Sequence, residues 1–345
     1  MKLSYDLRNY SYEYVNQMLP VILKTNPSTI YLRSPLTSVM TEDQKTLPLH
    51  LHLFAEQREF DEIMELCREY PVKLFFDIVL NAMGTKSMPN NSLLHKYYPE
   101  SNITEQLQSL SPQFKKKLTK KHFITKSSLF KSKTANNIPR FLNLNDNHVK
   151  SVINSMFEFL HQNGIKYINF VTHHCEDTKH MEQIEALIKQ QSKEFEFLPS
   201  PSTTFNYQMI DNETFHIKIP HAIHDDIEQI YPQLDTFAFD KNTLKILNMM
   251  LENNAGLKYI NTQGVYIFGS ENKLLVINNR KTHYKLHKNY GKMDKIENKD
   301  VFIVDDNLGQ SNQVNTINED GYFNEQIIFD EHSITSLSIK SQKLK

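Results

Sequence analysis

Tryptophan is absent from this 345-residue chain, and glycine occurs only 8 times. Sugar-binding surfaces commonly present Trp, and loops that approach a ligand closely rely on Gly, so both shortages count against an elaborate ligand cleft. Cysteine is nearly missing as well. Cys67 and Cys175 can form at most one disulfide, which excludes a disulfide framework and makes a reducing compartment the default. No stretch approaches the about 18 apolar residues of a membrane span. The opening stretch MKLSYDLRNYSYEYVNQMLPVIL has charged and polar side chains where a secretory signal needs its apolar centre. The expected location is the cytoplasm, or a destination reached by a route that needs no signal peptide.

What is present is ordinary for a globular protein: 39% hydrophobic and 23% charged residues, with 39 basic and 40 acidic side chains giving a net charge of -1. This excludes a disordered chain, a collagen-like chain and a globally basic nucleic-acid binder. Apolar periodicity alternates short strands with amphipathic helices through the first two thirds. Thr29 to Leu32 and Leu49 to Phe54 pattern as strands, and Phe60, Ile63, Met64 and Cys67 repeat as one helix face. Val72 to Leu80 is an almost unbroken apolar run, which suits a parallel strand buried on both sides. A second helix face follows in Val149, Val152, Ile153, Met156, Phe157 and Leu160, stopped by Asn163-Gly164, before a strand at Ile165 to Val171. Met181, Ile184, Leu187 and Ile188 mark a further helix. From about Gly264 the pattern changes to short strands at 265–268, 274–277, 301–304, 327–329 and 334–339, separated by Gly, Asn and Asp turns. The expected class is α/β, a barrel or open parallel sheet, followed by an antiparallel β domain.

Between the strand at Val72 and the helix at Val149, residues 115–144 carry eight lysines and Arg140 without a single Asp or Glu. Lys115, Lys116, Lys117, Lys120 and Lys121 form its densest part. The patch reads either as a dock for an anionic surface over Lys115–Lys133 or as a solvated loop.

Two segments carry a family resemblance. EFDEIMELCREYPVKLFFDIVLNAMG, residues 59–84, resembles the third barrel strand and preceding helix of the alpha-amylase family of glycoside hydrolases, with Asp77, Asn81 and Gly84 on family positions and Ala82 where the family has His. IPRFLNLNDNHVKSVINSMFEFLHQNGIKYINFV, residues 138–171, is similar to the family's fourth helix and strand region, with Asn143, Val149 and Gly164 in agreement. The late strands are similar to its C-terminal β domain. The resemblance implies a (β/α)8-like TIM barrel, truncated or irregular, with residues 1–85 as its first part, a lysine-rich insertion at 86–137, the rest of the barrel at 138–262 and a C-terminal β domain at 263–345.

The departures from the family bear on function. Retaining cleavage of an α-glycosidic bond uses a carboxylate nucleophile and a second carboxyl about 5 Å away. On this alignment the family Arg is Asn169 and its nucleophilic Asp is Val171, and valine cannot attack an anomeric carbon. The acid/base Glu has no counterpart in register, Glu194 and Glu196 being the nearest. The third carboxylate has only Asp240 as a weak candidate, and Asp240 reads equally as the cap of the helix carrying Leu244, Leu247 and Leu251. Asp77 and Asn81 read as site remnants or as residues that orient strand-end loops.

One further cluster follows the strand at Ile165 to Val171. His173, His174, Cys175, Glu176, Asp177 and His180 suit a borderline metal or a Cys/His pair, or else form a polar loop and first helical turn capped by Asp177 or Thr178. No glycine-rich phosphate loop, nucleophile elbow or dinucleotide fingerprint is present, so no cofactor is expected. The sequence thus implies a catalytically degenerate alpha-amylase-like protein that binds a partner protein or a glycan. The alternatives are an active divergent glycoside hydrolase or glycosyltransferase-type enzyme on α-linked sugars, and a metal or thiol enzyme using the His173–His180 cluster.

Overall fold

The computed structural model describes residues 1–36, 38–40, 46–48, 54, 56–84, 139–171, 178–199, 201, 203–220, 239–252, 256–261, 264–270, 273–286, 301–305, 314–316 and 327–340. The chain forms two compact units, one of Met1–Asp6, Gln17–Ser28 and Ser202–Lys345, the other of Leu7–Asn16 and Thr29–Pro201.

In chain order the first elements are β1 (Lys2–Asp6), α1 (Tyr12–Lys24), β2 (Thr29–Leu32), β3 (Ser38–Met40), β4 (Thr46–Pro48) and α2 (Gln57–Cys67). Then come β5 (Lys73–Val79), β6 (Ala82–Gly84), β7 (Pro139–Phe141), α3 (Asn147–Gln162), β8 (Tyr167–Val171), α4 (Thr178–Gln191) and β9 (Glu196–Pro199). After β10 (Tyr207–Met209), β11 (Thr214–Lys218) and α5 (Lys241–Leu251), the chain forms β12 (Gly256–Asn261), β13 (Val265–Gly269), β14 (Lys273–Asn278) and β15 (Tyr284–Leu286). It closes with β16 (Val301–Asp305), β17 (Val314–Thr316), β18 (Ile327–Phe329) and β19 (Ser333–Lys340).

In the Thr29–Pro201 unit, β2, β5, β8 and β9 lie side by side and parallel, connected through α2, α3 and α4. Such a strand, helix, strand repeat follows from burial on both faces. All of Leu74 to Val79 is buried, so each face of β5 needs a cover. Helix α2 supplies one: Phe60, Ile63 and Cys67 are its buried residues, and the Phe60 ring lies 5.6 Å from Phe76. Helix α3 starts where Asp146 accepts from the His148 and Val149 N–H groups at 2.8 and 3.2 Å. It stops at Gly164, whose φ of +80° suits glycine alone among common residues and whose absent Cβ would sit 3.3 Å from Met64 Cε.

In the other unit β11 pairs in parallel with β1 and antiparallel with β10. The C-terminal part is a six-stranded antiparallel sheet in the order β12-β13-β14-β19-β16-β17. Strands β13 and β14 are buried along nearly their whole length. Phe215 of β11 packs edge-on against Tyr266 and Phe268 of β13, at 5.5 and 4.8 Å between ring centres. Asn278 at the end of β14 donates to the Thr282 and Asp330 carbonyls, which holds two turns together.

The fold is therefore mixed α/β with a late antiparallel sheet, as the periodicity implied. Among the described residues the parallel strands number four in one unit and two in the other, and β10 runs against its neighbour. Of the strand expected at Leu49 to Phe54, only Phe54 lies within the described residues, where it bridges Leu36.

Candidate functional site

Near the carboxyl end of β5 lie Asp77, Asn81 and, on the paired strand, Asn169, three of the polar residues buried in the second unit. Because Phe76 turns toward α2, strand alternation puts Phe75, Asp77 and Val79 on the opposite face. Register then selects their neighbours: Tyr31 and Tyr167 flank Phe75, Asn169 lies beside Asp77, and Val171 beside Val79. The three rings form an aromatic row, with centres 5.7 Å apart for Tyr31–Phe75 and 5.3 Å for Phe75–Tyr167. One step closer to the carboxyl ends of the strands comes a polar row.

Asp77 is 8% exposed and its Oδ1 accepts from the Asn169 amide. Arg8 Nη1 stands 3.7 Å from the same oxygen, and the Arg8 guanidinium lies over the Tyr31 ring, 5.8 Å from its centre. Among the described residues the carboxylate thus engages both a cation and an amide. Asn169 is closed to solvent, and its Oδ1 has no hydrogen-bond donor among the described residues. Beside it along β8, Val171 is half-buried and presents methyl groups only.

A second buried tie lies in the same unit. Glu56, just before α2, accepts from the Tyr12 N–H at 2.5 Å and pairs with the Arg33 guanidinium. Arg33 sits over the Tyr12 ring at 5.6 Å, while the Tyr12 hydroxyl donates to the Arg33 carbonyl at 2.8 Å. Burial holds the Tyr12 phenol well above its usual pKa; Arg33 opposes that shift and the negative Asp77 adds to it. Tyr12 therefore acts as a donor and not as a base near neutral pH.

The other sequence candidates fall elsewhere. Asn81 is fully buried, and its carbonyl accepts from the Leu142 N–H at 2.9 Å, which anchors the chain on its return through β7. Glu196 opens β9 opposite Tyr167, and both its oxygens face Lys73 Nζ at 2.9 Å. That is the amino end of the strands, away from Asp77. Glu194 is exposed beside His161, at 3.6 Å from Nε2. Asp240 caps α5 by accepting from the Thr243 N–H at 2.6 Å, the capping alternative that its sequence allowed. His173, Asp177 and the lysines at 115, 116, 117, 120 and 121 lie outside the described residues, as does the side chain of His180. Among the described residues no His, Cys, Asp or Glu group is arranged to hold a metal ion.

Ser4, Asp6 and His216 make a separate buried cluster in the first unit. Ser4 Oγ is 2.8 Å from His216 Nδ1, and Asp6 Oδ2 is 3.8 Å from Nε2. The residue types match a hydrolytic triad, but exposures of 0% for Ser4 and His216 and 3% for Asp6 leave no path for a substrate. The cluster joins β1 to β11.

Arg8, Arg33, Glu56 and Tyr12 drew no attention in the sequence, because isolated charges in polar surroundings look like surface. The one available signal was their position just beyond apolar strands or at helix starts.

No family model and no curated protein matches this chain. Among solved structures it is similar to an alpha-amylase from Geobacillus thermoleovorans complexed with acarbose, at 11% identity, with 99% of each chain covered and a TM-score of 0.39. It is also similar to the alpha-amylase of Malbranchea cinnamomea, at 10% identity over 98% of this chain and 96% of that one, TM-score 0.39. A third is alpha-amylase I of Eisenia fetida in complex with maltohexaose, at 10% identity over 99% and 97% of the two chains, TM-score 0.47.

Proposed function

We propose that this protein is a catalytically degenerate relative of the alpha-amylase family, a barrel-type scaffold that binds a glycan or a partner protein and does not cleave sugars. The observation that carries this reading is the face of β8 beside Asp77, which offers Asn169 and Val171 where a retaining glycosidase needs a nucleophile and its positive neighbour. A two-carboxylate mechanism requires both groups to change proton or covalent state during turnover. Neither an amide nor an isopropyl group does so. Asp77, drawn onto Asn169 and Arg8, is used as a structural tie.

A second reading, an active divergent glycoside hydrolase or glycosyltransferase-type enzyme, is favoured by one feature: a buried carboxylate survives at a strand end, with arginine beside it. The test is mass-spectrometric detection of products after incubating purified protein with a panel of α-linked oligosaccharides, beside Asp77→Ala. No release at high protein concentration is expected. Release that disappears in Asp77→Ala would establish an enzyme and overturn the degenerate reading.

A further inference from the structure

Positive charge gathers in one stretch of the C-terminal part. Between Glu271 and Asp294 the sequence holds six lysine and arginine residues and no Asp or Glu. Lys273, the first of them, pairs with Glu252, whereas Arg280 and Lys281 lie on the turn after β14 and Lys285 lies in β15. Both Lys281 and Lys285 are exposed. Strand alternation sets the direction of Lys285. Tyr284 and Phe329 are buried and stack with ring centres 6.3 Å apart, so that face of the β15–β18 pair turns inward. Lys285 and Ile328 stand opposite each other in register and take the outer face, where Ile328 is 50% exposed. The pair thus holds aliphatic surface in water beside an ammonium group. Two exposed acids stand close by, Asp330 at 3.3 Å from His283 Nδ1 and Glu331 next to it in the chain.

We propose that this outer face, Lys285 and Ile328 together with the Arg280–Lys281 turn, docks on an anionic lipid surface, an interaction that does not depend on the glycan reading above. An aliphatic tip flanked by long cations suits the headgroup boundary: the isoleucine methyl groups enter the apolar side while the lysine stems reach back to lipid phosphates. Other anionic partners use less of what is there. Single-stranded nucleic acid binds by stacking on rings, and the Tyr284 and Phe329 rings are turned inward. A specific protein interface buries about 800 Å² on each partner, which one apolar side chain does not organise. A membrane needs no such matched area, because its charge acts on every cation within about 10 Å of a continuous plane. Asp330 and Glu331 oppose the attraction, so the binding is weak and responds to salt and to the charge at those two positions.

The test sediments the full chain with vesicles of phosphatidylcholine alone and of phosphatidylcholine with phosphatidylserine. Binding is expected only to the second kind, with release at about 0.5 M salt. Lys281→Glu combined with Lys285→Glu should weaken it at least about tenfold, Ile328→Ser should weaken it less, and Asp330→Asn combined with Glu331→Gln should strengthen it. The last pair decides the matter even if the lysine variant does not fold, since it must gain binding where a damaged protein loses it. The inference fails if the chain does not sediment with the anionic vesicles, if it binds the neutral ones equally, or if reversing both lysines leaves binding unchanged. It fails equally if the vesicles are ignored while single-stranded DNA or poly-L-glutamate binds through the same lysines, which would assign the face to a soluble polymer.

Discussion

Asp77→Ala is expected to lower the folding stability by about 2–4 kcal/mol, while Asp77→Asn costs about 1–2 kcal/mol. The estimate has two parts. The Asn169 amide donates to a charged acceptor, an interaction worth about 1.5–3 kcal/mol net, and alanine leaves both ends of that buried amide unpaired. Arg8, at 3.7 Å, attracts the carboxylate by about 4.5 kcal/mol at an effective dielectric of about 20, most of which is offset by the desolvation of both ions. Asparagine keeps an oxygen for Asn169 and loses the charge alone. Urea unfolding followed by far-UV circular dichroism measures the effect; with a slope of about 3 kcal/mol per molar, the alanine midpoint should fall by about 1 M. The reasoning is refuted if Asp77→Ala unfolds at the parent's midpoint or above it. That outcome marks a carboxylate retained for chemistry at the expense of stability.

Asp240→Ala and Asp146→Ala each remove a helix cap and should cost about 1 kcal/mol in the same assay, with Asn at either position recovering most of it. Gly164→Ala places a Cβ 3.3 Å from Met64 Cε at a φ of +80° and should destabilise by about 1–2 kcal/mol. Burial pushes the Cys67 thiol up to about 11, above its ordinary range, so the folded protein holds its proton where the unfolded chain has released it. The Cys67 contribution to stability is therefore intact below about pH 9 and is lost as the pH rises toward 11, a loss that Cys67→Ala should abolish in thermal melts at pH 8 and pH 10.5.

The parts of the fold that were legible in the sequence are those whose period and punctuation agree. Helix α3 has a polar cap at Asp146, an apolar stripe from Val149 to Leu160 and a glycine stop, and β5 is a continuous apolar run. Strands β1 and β11 were not visible, because Ser4, Asp6 and His216 interrupt their apolar patterns. Ser4 Oγ and His216 Nδ1 share a hydrogen bond across the strand pair, with Asp6 3.8 Å from the other ring nitrogen, a pairing that no local window contains. The candidate site divides in the same way. Asp77 and Asn169 stood out through family resemblance, yet their hydrogen bond spans 92 positions and depends on the register between β5 and β8. Arg8 and the Tyr12–Arg33–Glu56 tie belong wholly to tertiary structure.

The pairing of β1 with β11 also sets a timetable for synthesis. Ser4 meets His216 across 212 positions of chain, so β1 acquires this partner only after those positions have been made. At about 5–20 residues per second, β1 waits about 10–40 s on the ribosome after it is formed. Over most of that interval the intervening residues 29–201, which carry their own parallel strands and helices, are free to condense. A nascent chain of this design passes through a stage in which residues 29–201 are made while the β11 side of β1 lacks its partner, the edge at which a chaperone or a competing strand would engage it.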